Sequence, residues 1–138
     1  MDLRRLTDAF TVSPQIDAEH VHEIAGAGFR SILCNRPDGE APGQSDYARI
    51  AEAAQEEGLQ ARSVPISGGM ITPEALEDFR AALAEMPKPI LAYCRSGTRC
   101  TMLWALAQHG VMEDDEIERR AAKAGYDVSG LLRQLGAR

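Results

Sequence analysis

Cys94-Arg95-Ser96-Gly97-Thr98-Arg99 brings together a thiol, a glycine-containing turn and an arginine. A cysteine attacks as its thiolate, and a free thiol ionises only near pH 8.5 (about), so chemistry here depends on what surrounds the sulfur. The apolar run Ile90-Leu91-Ala92-Tyr93 before it reads as a short buried strand, and Pro87-Lys88-Pro89 stops whatever helix precedes that strand. The residues from Cys100 to His109 read as an apolar helical segment closed by Gly110. Cys94 therefore stands where a strand gives way to a helix. The first turn of a helix carries unpaired N–H groups and a partial positive charge, which attract anions. Gly97 allows successive N–H groups to face one concavity. Arg99 adds a planar fork that grips a tetrahedral anion through two donors. Thiolate, N–H nest and arginine suit attack on an anionic phosphorus or sulfur centre.

Other members of this stretch leave alternatives open. Arg95 and Thr98 supply backbone N–H groups, and the Arg95 side chain either brings charge to an anionic donor or is simply solvated. Ser96 either donates to the Cys94 thiolate or serves the turn. Elsewhere, Arg36-Pro37-Asp38-Gly39-Glu40 is turn chemistry by composition. Asp38 there builds a turn, or acts as an acid, or orients Arg99. Cys34 is either buried or close enough to Cys94 to resolve an oxidised sulfur as a disulfide. Cys100 reads as packing. The candidates are thus Cys94, Arg99 and Asp38 for catalysis, and Arg36, Arg95, Ser96, Gly97 and Thr98 for binding substrate. The three histidines show no metal spacing with the cysteines, so neither metal nor cofactor is assigned.

The elements that must hold these residues follow in order. Leu6 to Val12 reads as an entry segment ending in a short strand. Asp17 can cap a helix through Val21 and Ile24 that ends near Gly26 and Gly28. Phe29 to Asn35 is a buried strand, and Ser45 caps a helix with Tyr47, Ile50 and Ala54 on one face. Leu59 to Pro65 is a third interior strand, followed by the glycine-containing loop Ile66 to Ile71. Thr72-Pro73-Glu74 starts a helix carrying Leu76, Phe79, Ala82 and Leu83. Helices over Glu113 to Ala124 and Ser129 to Leu135 close the chain. Strands alternating with helices predict an α/β fold of three layers, with a mainly parallel sheet of four to five strands and helices on both faces. Ligands of such sheets sit at the carboxyl ends of strands, where Cys94 and the stretch from Asn35 to Asp38 both fall.

Length and composition bound the rest. A chain of 138 residues, 44% hydrophobic and 26% charged, is one globular domain. No stretch has the length of a membrane span or the form of a signal peptide, and three cysteines make no disulfide framework. A reducing cytoplasm is the expected setting. A net charge of −6 argues against nucleic-acid binding, and it makes any convergence of Arg36, Arg95 and Arg99 a local exception.

The cysteine loop resembles the active-site loop shared in outline by cysteine-dependent phosphatases and rhodanese sulfurtransferases. Five residues separate cysteine from arginine in the phosphatases. Four are usual in rhodaneses, often beginning CRSG, and four separate Cys94 from Arg99. Gly28-Phe29-Arg30, the stretch from Asn35 to Glu40, Gly69 to Thr72 and the stretch from Ala92 to Arg99 are together similar to a bacterial family. It is the phosphatase-like domain of beta-lactamase-hydrolase-like proteins, and the likeness runs from about Leu6 to His109. The resemblance implies a dual-specificity-phosphatase-like fold. It also implies a partner, a metallo-beta-lactamase-fold enzyme of persulfide metabolism.

Two chemistries compete. Phosphate-ester hydrolysis through a phosphocysteine needs a proton for the leaving oxygen, worth ~10²–10⁴ in rate. The resemblance puts its donor on the loop after the strand at Leu59 to Pro65, but Ile66-Ser67-Gly68-Gly69-Met70 holds no carboxylate. Sulfur transfer from thiosulfate or a persulfide needs no strong acid, and a shorter loop makes a narrower cradle. Sulfur transfer through a Cys94 persulfide is therefore the first expectation. Phosphate-ester hydrolysis is the alternative, and a non-catalytic oxyanion-binding module the third. The substrate is a small anion in each case, with neither nucleic acid nor membrane as a partner.

Overall fold

The computed structural model describes residues 1–136. Five strands form one sheet in the order β1-β2-β5-β3-β4. β1 (Arg4–Thr7) and β2 (Phe10–Ser13) make an antiparallel hairpin, while β2, β5 (Ile90–Tyr93), β3 (Ser31–Cys34) and β4 (Gln60–Ser63) run parallel. The entry segment is therefore two strands, not one. β4 lies at the sheet edge with Gln60 and Ser63 exposed, so it is not the interior strand its apolar flanks suggested. Its inward apolar residues, Val64 and Ile66, come after the paired segment ends.

The pleat sends alternate side chains to opposite faces, which builds two cores. One face packs Leu33, Ala92 and Cys94 with residues of α3 (Pro73–Glu85), α4 (Thr98–Gln108), α5 (Asp114–Lys123) and α6 (Ser129–Gly136). The other packs Ile32, Cys34, Leu91 and Tyr93 against α1 (Val21–Gly26) and α2 (Tyr47–Glu56). This is the expected three-layer α/β arrangement, and β5 is its centre. All four residues of β5 are buried, as a strand covered on both sides requires.

Local signals explain the helix starts. The Thr72 hydroxyl accepts from the Ala75 N–H at 3.1 Å with proline following at once, as its sequence indicated. Asp17 opens a short 3-10 turn, Ala18–His20, that leads into α1 through a reciprocal cap with His20. At α2 the cap differs from expectation. Ser45 donates its hydroxyl to Asp17 at 2.6 Å, and the Tyr47 N–H is satisfied by Asp38 at 2.9 Å.

Parallel register puts the ends of β2, β5, β3 and β4 along one edge: Ser13 beside Tyr93, Tyr93 beside Cys34, and Cys34 beside Ser63. The loops that leave those ends carry Gln15, the Cys94 loop, Arg36 to Glu40, and Ile66. They meet there.

Candidate active site

The Cys94 loop is shaped by where its carbonyls go. Arg95 O accepts from the Gln15 N–H at 3.3 Å and Ser96 O from the Tyr126 hydroxyl at 2.8 Å. Gly97 O accepts from the Thr101 N–H at 3.0 Å and the Thr101 hydroxyl at 2.9 Å. With the carbonyls tied outward, the N–H groups turn inward. The Gly97 N–H donates to Cys94 Sγ at 3.1 Å, and the backbone N–H groups of Cys100 and Ser96 also favour the charged sulfur.

Gly97 has φ +90°, and no other residue type fits. A Cβ there would stand 2.1 Å from the Tyr126 hydroxyl. The turn also sets Gly97 at the start of α4, so the helix dipole ends on the sulfur. Ser96 and Thr98 brace each other through their hydroxyls at 2.9 Å, so Ser96 serves the turn.

Cys94 is fully buried at the bottom of this ring, and its thiol is held at about 5. The largest cause is a hydrogen bond from the Cys100 side chain. The backbone N–H groups of Cys100, Gly97 and Ser96 add to it, and burial works against them. Burial pushes the Cys100 thiol well above its ordinary value. The proton of the pair therefore rests on Cys100, and Cys94 is the thiolate. Cys100, read from sequence as packing, is the neighbour that matters. Cys34 lies on the other face of the sheet, donates to Arg36 O at 3.2 Å, and is pushed up by burial. Simple burial describes Cys34.

Arg99 is held by an acid that sequence reasoning passed over. Its Nη1 and Nη2 donate to Glu40 Oε2 and Oε1 at 2.8 and 2.7 Å, and Nη1 also donates to Ile66 O at 2.7 Å. Glu40 is shared with Arg36, whose Nε donates to Oε1 at 2.8 Å and whose Nη1 donates to Gln15 Oε1 at 3.0 Å. Arg99, and after it Arg36, hold the Glu40 carboxyl at about 2. These bonds take up both Nη1 hydrogens and one of Nη2, and leave Nε–H and the other Nη2–H without a recorded partner. Arg36 and Arg99 thus converge through Glu40, while Arg95 is exposed beside the loop. Asp38 lies on the same segment as Glu40 but turns to the α2 N-terminus, and Glu40 is what orients Arg99. The sequence offers only an arginine and a glutamate four positions apart as a signal for this pair.

A thiolate ringed by N–H groups, beside a fixed arginine, has the chemistry that attack on an oxyanionic centre requires. The family model for the phosphatase-like domain of beta-lactamase hydrolase-like proteins matches residues 2–111. The chain belongs to that family. A beta-lactamase hydrolase-like protein of Xylella fastidiosa is 34% identical over 130 residues, covering 93% of this chain and 30% of the relative. The chain spans about a third of the length of the curated relatives it matches.

A candidate phosphatase of Neisseria meningitidis, solved as a crystal structure, shares 35% identity at TM-score 0.86, over 100% of this chain and 99% of that one. PTPMT1 in complex with PI(5)P superimposes at TM-score 0.70 with 10% identity, over 89% of this chain and 83% of its own. The fold is accordingly that of the dual-specificity phosphatases. These likenesses favour the hydrolase alternative over the sulfur transfer expected first from loop length and from the missing carboxylate at residues 66–70. No helix among the described residues is long and apolar enough to cross a membrane.

Proposed function

We propose that this domain is a cysteine-dependent hydrolase of small phosphate esters that works through a phosphocysteine on Cys94. The observation that carries the reading is the Cys94 thiolate, held at about 5 beneath an inward-facing ring of N–H groups. In this reading Cys94 attacks phosphorus, while the loop N–H groups and Arg99 Nε bind the equatorial oxygens as charge builds on them. Gly97 and Thr98 contribute backbone, Ser96 braces the turn, and Arg95 adds exposed charge at the rim. Arg36 acts through Glu40 to aim Arg99.

Sulfur transfer through a Cys94 persulfide is the second reading. The four-residue interval before Arg99 and the absence of a carboxylate from residues 66–70 favour it. A metallo-beta-lactamase-fold enzyme of persulfide metabolism belongs to that reading as a partner.

One experiment separates the two. Purified, reduced protein is incubated with an activated aryl phosphate and, separately, with thiosulfate, and the released product and intact mass are read. Steady phosphate release that Cys94→Ser lacks supports the hydrolase. A single added sulfur that cyanide removes as thiocyanate, with no phosphate release, overturns it in favour of the transferase. If Cys94→Ser kept full activity, the nucleophile assignment itself would be wrong.

A further inference from the structure

Hydrolysis through a phosphocysteine ordinarily moves two protons, one onto the leaving oxygen and one off the attacking water, and a positioned carboxyl group can serve both steps. Of the carboxylates on the loops around Cys94, all but Asp46 are engaged elsewhere. Glu40 is gripped by Arg99 and Arg36 and stays ionised at any neutral pH. Asp38 accepts the Tyr47 N–H at 2.9 Å, and Asp17 accepts the Ser45 hydroxyl at 2.6 Å while closing the turn before α1. Asp127 accepts both the N–H and the hydroxyl of Ser129. Asp46 stands exposed at the start of α2. The loop after β4 has no carboxylate and reaches the site through a backbone carbonyl, Ile66 O on Arg99. The cradle is thus built from N–H groups and guanidinium, and among the described residues no carboxylate is hydrogen-bonded to residues 94–98.

We infer that this site is confined to phosphoryl groups whose leaving group departs as a stable anion. Phosphoric anhydrides, acyl phosphates and the phosphates of acidic phenols belong to that class, whereas alkyl phosphates do not. The inference rests on the hydrolase reading and narrows its substrate. In the first step the Cys94 thiolate forms an S–P bond as the P–O bond breaks, and the electron pair leaves with the oxygen as an unprotonated anion. In the second, water attacks phosphorus, the S–P bond breaks to return the thiolate, and the water's protons pass to solvent and the phosphate formed. A thiolate is a good leaving group, but the attacking water has no positioned base. The second step is therefore the slow one, and the phosphocysteine accumulates.

The test is kcat/KM for aryl phosphates whose phenols span roughly four pKa units, with an early-time measurement of phenol release. Without a proton donor the rate is expected to fall about tenfold for each unit of phenol pKa. A burst of one phenol per enzyme should precede the steady rate, with the phosphoryl adduct on Cys94 seen by intact mass. A nearly flat dependence on phenol pKa overturns the inference. A flat dependence that turns steep in Asp38→Asn overturns it too, and makes Asp38 the acid. No phosphate release from even the most activated ester, together with a sulfur adduct from thiosulfate, overturns the hydrolase reading itself.

Discussion

Two sulfurs six positions apart divide the work of one proton. Cys100 is wholly buried, which pushes its thiol up, and its side chain is the largest influence lowering the Cys94 thiol on the loop before α4. Removing that side chain leaves the backbone N–H groups to hold the thiolate alone. In Cys100→Ala the ionisation of Cys94 should therefore rise by about one unit or more above its present midpoint of about 5. Thiolate absorbance in the ultraviolet, titrated against a Cys94→Ser baseline, reads the shift directly, and an unchanged midpoint would remove Cys100 from the account. Gly97 is the other residue without a substitute. Gly97→Ala combines a disfavoured φ of +90° with a collision against the Tyr126 hydroxyl, and should cost about 2 kcal/mol or more in chemical denaturation. It should also weaken phosphate binding, because the collision displaces the hydroxyl that ties Ser96 O outward.

At the scale of elements, the site is a meeting of loops, and Glu40 is where they are joined. It links the loop after β3 to Arg99 on α4, while Arg36 on the same loop reaches Gln15 after β2. Glu40→Gln removes the charge that pairs two arginines, one of them with its side chain only 4% exposed. The expected loss is ~10² in kcat/KM, falling on kcat more than KM, with stability lower by about 2 kcal/mol. Glu40→Asp should recover part of the rate if positioning is the role; equal rates for the two variants would argue against it. Asp38→Ala tests the neighbouring device. It removes the acceptor at the α2 N-terminus and should lower stability by ~1 kcal/mol in denaturant melts.

The whole molecule carries the signature of the thiolate in its pH dependence. Cys94 ionises at about 5 when folded, and near pH 8.5 (about) in an unfolded chain. Between those values the unfolded chain binds more protons, so stability rises with pH across the window. The contribution is fully present above the upper value and is lost as pH falls through the lower one. The Tm of the wild type should therefore gain on that of Cys94→Ser as pH is raised from about 5 to about 8. A constant difference over that range would mean that Cys94 does not titrate there. The fold tolerates a buried anion at this point because β5 is central: its loop opens at the common edge of four parallel strands, where neighbouring loops bring their arginines.

How much of this was readable in the chain follows from how local each cause is. The three-layer α/β class, the central strand before Cys94, the cradle at its end and the Thr72 cap are set by residues within a few positions of one another, so period, proline and glycine were enough to place them. The hairpin of β1 and β2 and the edge position of β4 were not readable, because pairing depends on partners elsewhere in the chain. The same holds inside the site. Arg99 and Glu40 lie 59 residues apart, and Tyr126 lies 30 residues from the carbonyl it anchors. Cys34 and Cys94 are both buried cysteines at strand ends in the sequence, yet the pleat puts them on opposite faces of the sheet, and it is Cys100 whose side chain most lowers the Cys94 thiol. The sequence by itself determined which sulfur sits at a helix start, because a strand, a glycine turn and a helix are local matters. Only the tertiary structure decided which acid aims the arginine and which thiol holds the proton, because hydrogen bonds between distant loops exist only once the sheet has brought their strand ends to one edge.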